Sequence, residues 1–216
     1  TGTISVTGTI SVTGSISVTG TISVTGTISV SSIINTSPTP SVSLSAFAMG
    51  QSVAMGYGHT CVLMSATAGV RCWGYNGHGQ LGNGGTAQLN SPPSTDVISG
   101  ASSVTAGFYF TCAVMSGTGG VRCWGDNGIG QLGNGGTGTS TCSSYNCVLS
   151  PPSSDVITGV SAVAAGGYHT CVLMSSTGGV RCWGYNGHGQ LGNGGTANVV
   201  SPPSSDLITG ASAVTA

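Results

Sequence analysis

The chain has 216 residues, enough for one domain or for one domain with an appendage. Only 3% of the residues are charged, the three basic residues are all arginine, and the formal net charge is −1. These values exclude a nucleic-acid-binding protein that works by charge and a polybasic membrane anchor, because both need clusters of Lys and Arg. No apolar run reaches the roughly 18 residues of a membrane-spanning helix, so membrane insertion is not expected.

Residues 1–30 are five copies of a hexapeptide, TGTISV, with one copy reading TGSISV. Because six is even, the two-residue alternation of a β-strand is preserved from copy to copy, and every Ile and Val falls on one face. The pattern predicts one extended strand of about 100 Å, at about 3.3 Å per residue, whose two edges are free to pair with other chains. The residues of this predicted assembly strand are Ile4, Val6, Ile10, Val12, Ile16, Val18, Ile22, Val24, Ile28 and Val30.

Two other interpretations of residues 1–30 stay open. A disordered Ser/Thr linker explains the composition but not the fixed parity of Ile and Val. A hexapeptide β-helix also suits these hexads, but five hexads make fewer than two coils of three hexads each, and stacked repeats need about three units to be stable alone. Either ordered interpretation therefore predicts that chains assemble with one another.

Residues 31–44 break the hexad parity, and their two prolines mark a linker. The predicted domains are a hexapeptide-repeat β stem at 1–30, this linker, and a repeat domain at 45–216. Asn35 begins the one N-glycosylation sequon with a permitted middle residue. The candidate glycosylation sites are Asn35 and, on the polar face of the stem, Thr1, Thr3, Thr7 and Thr9.

Residues 45–204 hold three copies of a longer unit. The copies begin with HTC at His59, FTC at Phe110 and HTC at His169, and each continues through VRCWG and GQLGNGG to an SPPS segment and an Asp. A unit of about fifty residues with several short strands predicts a propeller blade. The second copy carries an insert at 137–148. The predicted blades are 45–95, 96–154 and 155–205, with an extra opening strand of a further blade at 206–216.

The shared string G-x-x-H-T-C…V-R-C-W-G-x-N-G-x-G-Q-L-G-N-G resembles the regulator of chromosome condensation repeat over roughly residues 45–216. That resemblance implies a β-propeller of four-stranded blades, usually about seven in a ring, so three blades imply an open arc or one completed by a neighbour. The founding member of the family is a nucleotide exchange factor that works through charged loops, which this chain lacks. The resemblance therefore implies fold more than function.

Eight cysteines fall into four tidy pairs, which predicts an oxidising, extracellular or cell-surface location. Folding each VRCWG strand onto the preceding strand places two cysteines opposite one another, within disulfide range. A metal site would need Cys-x-x-Cys or nearby His at ligand spacing, and the sequence has neither. The predicted disulfides are Cys61–Cys72, Cys112–Cys123, Cys142–Cys147 and Cys171–Cys182.

Comparing the repeats argues against an active site. His59 and His169 align with Phe110, and His78 and His188 align with Ile129, so a catalytic or metal-binding role would be lost in the second copy. No acid pair and no nucleophile–His–Asp set is found, and we predict neither an enzyme nor a cofactor. The three Trp residues recur at one blade position and are interpreted as core. The Asp after each SPPS is interpreted as a turn residue that accepts backbone N–H groups, and each Arg of VRCWG is expected to pair with one of these Asp residues.

These observations predict a structural subunit of an extracellular filament or surface fibre. The proposed mechanism is strand donation, in which the N-terminal strand of one copy pairs with neighbouring copies. The low charge suits a surface that is buried in an assembly or covered by glycans. The predicted partner is therefore the chain itself, with glycans as a second candidate, and not nucleic acid. The alternative is a secreted propeller that binds a protein or glycan, with the hexads as its stalk and the 137–148 insert as its contact.

Overall fold

A computed structural model describes residues 4–7, 10–12, 22–25, 28–30, 53–137, 140–142 and 145–216. It divides the chain into two compact units, Thr1–Ala46 and Phe47–Ala216. Every regular element among the described residues is a β-strand, which confirms the predicted all-β class. Among these residues no helix is long and apolar enough to cross a membrane.

The strands, in chain order, are β1 Ile4–Thr7, β2 Ile10–Val12, β3 Ile22–Thr25, β4 Ile28–Val30, β5 Val53–Met55, β6 His59–Met64, β7 Gly69–Gly74, β8 Ala101–Ala106, β9 Phe110–Met115, β10 Gly120–Asp126, β11 Ser140–Cys142, β12 Tyr145–Val148, β13 Val160–Ala165, β14 His169–Met174 and β15 Val180–Gly184.

The N-terminal unit is built from parallel strand pairs rather than from one extended strand. β1 pairs with β3, which puts Ile4 opposite Ile22, and β2 pairs with β4, which puts Ile10 opposite Ile28. Both offsets are eighteen residues, or three hexads, so equivalent residues of the repeat lie side by side. The structure thus differs here from the extended-strand prediction and has the pairing expected of the β-helix interpretation. Pairing within the chain satisfies backbone groups that a single strand leaves open. Ile16 and Val18 lie outside the described residues.

Each long repeat folds into a blade in which an inner, a middle and an outer strand run antiparallel. The first blade is β5-β6-β7, the second contains β8-β9-β10, and the third is β13-β14-β15. Inner and middle strands are joined by two-residue turns, such as Tyr57–Gly58 in the first blade, where the Gly56 N–H donates to the His59 carbonyl at 2.9 Å. This length is typical of tight hairpins.

In the first and third blades a fourth segment runs beside the outer strand but bridges it only at two points. In the first blade Leu89 bridges Gly74 and Ile98 bridges Val70. The Pro-Pro pair between the two bridges has no N–H to donate, so the edge cannot form a continuous ladder. Interrupted edges of this kind discourage strand-to-strand aggregation. In the second blade the insert adds the hairpin β11-β12 beyond β10, which makes a five-stranded sheet.

The blade boundaries lie a few residues beyond the predicted ones. Ile98, Ile157 and Ile208 each bridge the outer strand of the blade that precedes them. The repeat Asp and the two residues after it therefore close a blade instead of opening the next one. Residues 214–216, with parts of β8 and β13, line a cleft of about 270 Å³.

The apolar core lies between blades rather than inside them. One buried cluster joins Cys61, Cys72 and Leu81 of the first blade to Val104 and Trp124 of the second. A second cluster joins the second and third blades in the same way. Its members include Phe110, Cys112, Cys123, Leu132, Val172 and Trp183. Because a thin, Gly-rich sheet encloses little apolar volume alone, each blade is stabilised by its neighbour.

Candidate binding surface

Aromatic residues gather at the turns between inner and middle strands. In the first blade the turn is Tyr57–Gly58, in the second Phe108–Tyr109 and in the third Gly167–Tyr168. Backbone hydrogen bonds connect successive turns, from Tyr57 N–H to the Phe108 carbonyl at 3.3 Å and from Phe108 N–H to the Gly167 carbonyl at 3.1 Å. The turns of three blades are thereby held in a row.

The loop after each outer strand reaches the same turns. Tyr75 donates its backbone N–H to the Gly58 carbonyl at 2.7 Å, and in the second blade Asp126 donates to the Tyr109 carbonyl at 2.9 Å. In the first blade this loop carries two rings, Tyr75 and His78, whose centroids are 6.1 Å apart. The loop therefore extends the row of turns into a broader surface.

Tyr109 is at the centre of this group of rings. The His78 ring stacks on it with a centroid distance of 4.4 Å and an interplanar angle of 16°. Its centroid is also 5.7 Å from that of Tyr57, 6.1 Å from that of Tyr75 and 6.5 Å from that of Tyr168. Edge-to-face contacts at these distances hold the rings in fixed positions. We call the group the aromatic face; its members are Tyr57, Tyr75, His78, Phe108, Tyr109 and Tyr168.

The aromatic face is open to solvent. Tyr57 is 72% exposed, Phe108 44% and Tyr75 43%, although most other large apolar side chains of the blades are buried or partly buried. Beside Tyr57 and Phe108, the ends of the three inner strands surround a shallow cleft of about 300 Å³. An exposed cluster of rings next to a cleft is the usual form of an interaction site on a soluble domain.

Few charged residues of the blades lie near this face. Each Arg of VRCWG pairs with the Asp after SPPS, as expected, with Nε–Oδ1 distances of 2.6 Å in all three blades. Asp126, next to the face, is buried and accepts hydrogen bonds from the Gly128 N–H and the Gln131 amide. Among the described residues of the blades, no exposed Arg or Asp side chain therefore lies beside the rings.

The repeat Asp residues differ from their predicted role as acceptors of backbone N–H groups. Asp96 accepts hydrogen bonds from the Thr67 hydroxyl at 2.7 Å and from Arg71. The Thr67 hydrogen bond and the Arg71 guanidinium together lower the pKa of Asp96. The third blade repeats the arrangement, and Arg181 and Thr177 lower the pKa of Asp206. These pairs close the outer edge of each blade.

The family of the chain follows from its repeats. Profiles of the regulator of chromosome condensation (RCC1) repeat match residues 51–80, 101–131 and 160–190, and a second profile of this repeat matches 118–173. The chain belongs to the RCC1 repeat family. Its RCC1 blades are therefore of the type that forms binding or exchange modules rather than catalytic domains.

Relatives share the blades but are much longer. The human probable E3 ubiquitin-protein ligase HERC3 is 32% identical over 173 residues, which are 77% of this chain and 15% of that protein. The ultraviolet-B receptor UVR8 of Arabidopsis thaliana is 30% identical over 154 residues, 69% of this chain and 33% of the receptor.

Solved structures show the same fold. Prp20p of Saccharomyces cerevisiae matches with a TM-score of 0.58 at 19% identity, over 71% of this chain and 37% of that one. Human WBSCR16 matches with a TM-score of 0.55 at 25% identity, over 69% of this chain and 39% of that one. The chain thus spans less than two fifths of the length of each of these proteins.

The four histidines of the RCC1 blades occupy different environments. His59 is buried between the first and second blades, where its Nε2 lies 2.9 Å from the Thr111 hydroxyl, and burial lowers its pKa to about 4. Burial also lowers the pKa of His78, against an opposing effect of Asp126, and that of His169. His188 is exposed. The described residues contain no group of three or more His, Cys, Asp or Glu that could hold a metal ion.

The structure contains four disulfides with the pairing drawn from the spacing. Cys61–Cys72, Cys112–Cys123 and Cys171–Cys182 each connect opposed residues of a middle and an outer strand, with Cα atoms 4.1 Å apart. Cys142–Cys147 closes the insert hairpin.

Trp124 and Trp183 are fully buried, in agreement with a core role, but Trp73 is only partly buried. Of the candidate glycosylation sites, Thr7 ends β1, while Asn35, Thr1, Thr3 and Thr9 lie outside the described residues.

The sequence interpretation missed the aromatic face. A signal was present, because the two positions before HTC or FTC read Tyr57–Gly58, Phe108–Tyr109 and Gly167–Tyr168. Aromatic residues recur there without being identical, so the positions do not stand out as a motif. Only the blade arrangement shows that residues from different repeats form one surface.

Proposed function

We propose that this chain is an extracellular binding protein whose RCC1 blades take a protein partner through the aromatic face. The observation that carries the proposal is the exposed group of rings assembled from three blades around Tyr109. Tyr and Phe are enriched at protein interfaces because they supply large apolar area and lose little conformational freedom. Four disulfides support an oxidising location.

The lack of exposed charged side chains on the face defines the kind of partner. With every Arg paired at a blade edge and Asp126 buried, a charged partner surface would be desolvated without compensation. The matching partner is an uncharged, apolar segment that can enter the cleft beside Tyr57 and Phe108. Protein binding has precedent in the family, since the structure of Prp20p was described together with its binding to Gsp1p and histones.

The test compares wild-type chain with Tyr57→Ser/Phe108→Ser and with a matched control, Ile208→Ser. Ile208 is 61% exposed but lies on the outer edge of the third blade. Proteins retained from the native extracellular medium would be identified, purified and titrated against all three chains. We expect the double variant to raise Kd by about 100-fold, as loss of aromatic hot spots does, and the control to leave it unchanged. Equal binding by the double variant, or retention of glycans but no protein, would contradict the proposal.

A second candidate function, a subunit of an extracellular filament, is favoured by the N-terminal unit. β1-β3 and β2-β4 are separate two-stranded parallel sheets. Two-stranded sheets are marginally stable alone, and their outer edges offer backbone groups to further strands. In this proposal each copy forms coils of three hexads, and the coils of successive copies stack on one another. This stacking takes the place of the earlier hypothesis, in which each copy donates a single extended strand.

Electron microscopy of the native protein tests the filament. We expect Val24→Pro, which removes an N–H from the centre of β3, to abolish filaments, and Val24→Thr, which keeps a β-branched residue, to preserve them. Discrete particles from the wild-type chain would rule the filament out and leave the binding function standing.

A further inference from the structure

The loops that follow the outer strands each carry a glutamine, and in the first two blades this glutamine lies at the junction with the next blade. Where the first blade meets the second, the Gln80 backbone carbonyl accepts the Trp124 indole N–H at 3.0 Å and the Thr111 hydroxyl at 2.9 Å. The later blade thereby fixes the backbone of the glutamine. The corresponding residues at the second junction are Gln131, Trp183 and Thr170.

The side-chain amide of this glutamine is also fixed, with the same orientation in each blade. In the first blade Oε1 of Gln80 accepts the His78 backbone N–H at 3.0 Å. In the second, Oε1 of Gln131 accepts the Ile129 N–H at 3.1 Å, and the third blade repeats the bond at 3.0 Å. Because Oε1 must face this N–H, the Nε2 end of the amide is left to donate elsewhere.

In the second blade the Nε2 end holds a carboxylate. Gln131 donates from Nε2 to Oδ2 of Asp126 at 2.9 Å, and the Gly128 N–H donates to Oδ1 at 3.1 Å. Asp126 and Gln131 are both buried. The loop therefore supplies two donors that converge on a group with acceptor oxygens.

The first blade has the same two donors but no carboxylate between them. Tyr75 is the counterpart of Asp126, and Gly77 is the counterpart of Gly128. Gln80 is fully buried, and among the described residues no atom accepts a hydrogen bond from its Nε2. Nor does the Gly77 N–H have an acceptor in the described part of the chain. Since a buried donor without an acceptor is unfavourable, the loop gains free energy when an oxygen acceptor reaches it.

These donors lie under the aromatic face. A Cβ on Gly77 would collide with the Tyr75 ring, so this ring covers the loop. Tyr75 is itself 43% exposed, and its centroid is 6.1 Å from that of Tyr109. Exposed side chains change rotamer on a timescale of about a nanosecond. Rotation of the Tyr75 ring therefore opens a path from the aromatic face to Gln80.

The charge near the loop favours an uncharged acceptor. Asp126 is close enough to His78 to oppose the lowering of its pKa by burial. A second carboxylate beside His78 would therefore be repelled by Asp126. The amide oxygen of an Asn or Gln side chain has two lone pairs and no charge, so it can accept from both donors. Because it projects from the partner's backbone, it can also reach below the rings.

We propose that the first-blade loop binds the side-chain amide of a partner's Asn or Gln, with Nε2 of Gln80 and the Gly77 N–H donating to its oxygen. This site rests on the proposed binding function and adds a specificity to it, since the apolar segment on the aromatic face must carry an amide side chain. In the second blade the carboxylate of Asp126 has the equivalent position, so that loop is closed to a partner.

Three blocked, uncharged-ended tripeptides test the specificity, with Asn, Asp or Leu between two leucines. The full chain, labelled with nitrogen-15, would be titrated with each peptide, and the side-chain NH₂ signal of Gln80 followed by NMR. We expect the Asn peptide to shift this signal and to bind about tenfold more tightly than the Leu peptide, as two hydrogen bonds of modest net strength would give. The Asp peptide should bind no better than the Leu peptide.

Four variants locate the preference for Asn. Gln80→Glu keeps the acceptor for the His78 N–H but removes the donor, so it should abolish the preference. Gln190→Glu is the matched control, because its loop has the same sequence and its glutamine is only partly buried, and it should keep the preference. Tyr75→Asp supplies the second blade's carboxylate within the chain and should also abolish the preference, whereas Tyr75→Ala should weaken all three peptides and keep it.

The outcomes separate this site from the proposed binding function. Equal affinity for the Asn and Leu peptides, a Gln80 signal that the Asn peptide does not shift, or a preference that survives Tyr75→Asp would each overturn the amide site and leave the aromatic face to its own test. Tyr75→Asp repeats an arrangement that the second blade already folds, so it decides the question even if Gln80→Glu is unstable. A preference lost in Tyr75→Asp, together with a protein partner that binds equally without the Tyr57 and Phe108 rings, would support the amide site and contradict the aromatic face.

Discussion

The two internal junctions of the repeat unit share a framework but differ in one buried side chain. Each has a Trp and a Thr that donate to a Gln carbonyl. At the neighbouring position the first junction has His59 and the second has Phe110, both buried. The shared hydrogen bonds end on a backbone carbonyl, which no substitution removes, whereas the side chain that fills the remaining volume varies. Blade docking therefore depends on the Trp and the Thr that donate to the Gln carbonyl, and His59 adds a titratable group to the first junction.

The largest effect expected from this comparison comes from the tryptophans. Trp124→Ala and Trp183→Ala should each cost about 3–5 kcal/mol of unfolding free energy, because they empty a fully buried site and leave a Gln carbonyl short of a donor. Trp73→Ala should cost about 1 kcal/mol, since Trp73 is partly exposed. Urea unfolding measures all three. Equal losses would mean that burial between blades is not what stabilises them.

Comparing two disulfides shows how much a junction between blades and the insert each contribute to stability. Cys112 and Cys123 are part of the apolar core of the second junction, whereas Cys142–Cys147 lies in the insert hairpin. Replacing the first pair with Ala should cost about 3 kcal/mol, and replacing the second at most about 2 kcal/mol, because its loop is shorter. Thermal unfolding of the two double variants gives the comparison. A greater loss for the insert pair would show that the insert, and not the junction, supports the second blade.

The His–Phe difference predicts a pH dependence confined to the first junction. Burial lowers the pKa of His59 from 6.5 to about 4, so between these values the unfolded chain binds more protons than the folded chain. Stability should be full above pH 6.5 and fall as the pH drops toward 4, by about 2–3 kcal/mol. His59→Phe should remove this share of the dependence, while the lowered pKa values of His78 and His169 act in both chains alike.

The reverse exchange serves as the control for that measurement. Phe110→His places a histidine in the second junction beside Thr170, in the arrangement that His59 has beside Thr111. Its unfolding free energy should acquire an additional loss between pH 6.5 and 4. Identical pH profiles for wild type and His59→Phe would show that the protonation of His59 is not coupled to unfolding.

What could be read from the sequence depended on whether an interaction repeats. The Cys pairs and the Arg–Asp pairs recur at fixed spacing in three copies, so one geometric argument covers all of them. The hexads were harder, because the alternation of Ile and Val is the same in an extended strand and in strands that pair eighteen residues apart. The aromatic face depends on contacts such as His78 with Tyr109, which join different repeats and have no spacing in the chain to identify them.

The smallest predicted effect concerns the Arg–Asp ion pairs at the outer edges of the blades, which have the same geometry in each blade. Arg122 and Asp155 pair at the outer edge of the second blade, with side chains 23% and 11% exposed. Arg122→Met should therefore cost about 1 kcal/mol, since a partly exposed ion pair gains little over its hydrated groups, and the loss should shrink at high salt. Because Arg71 and Asp96 form the same pair, Arg71→Met should give an equal loss in urea unfolding. Unequal losses would show that the ion pairs at the outer edges are energetically coupled to the junctions between blades.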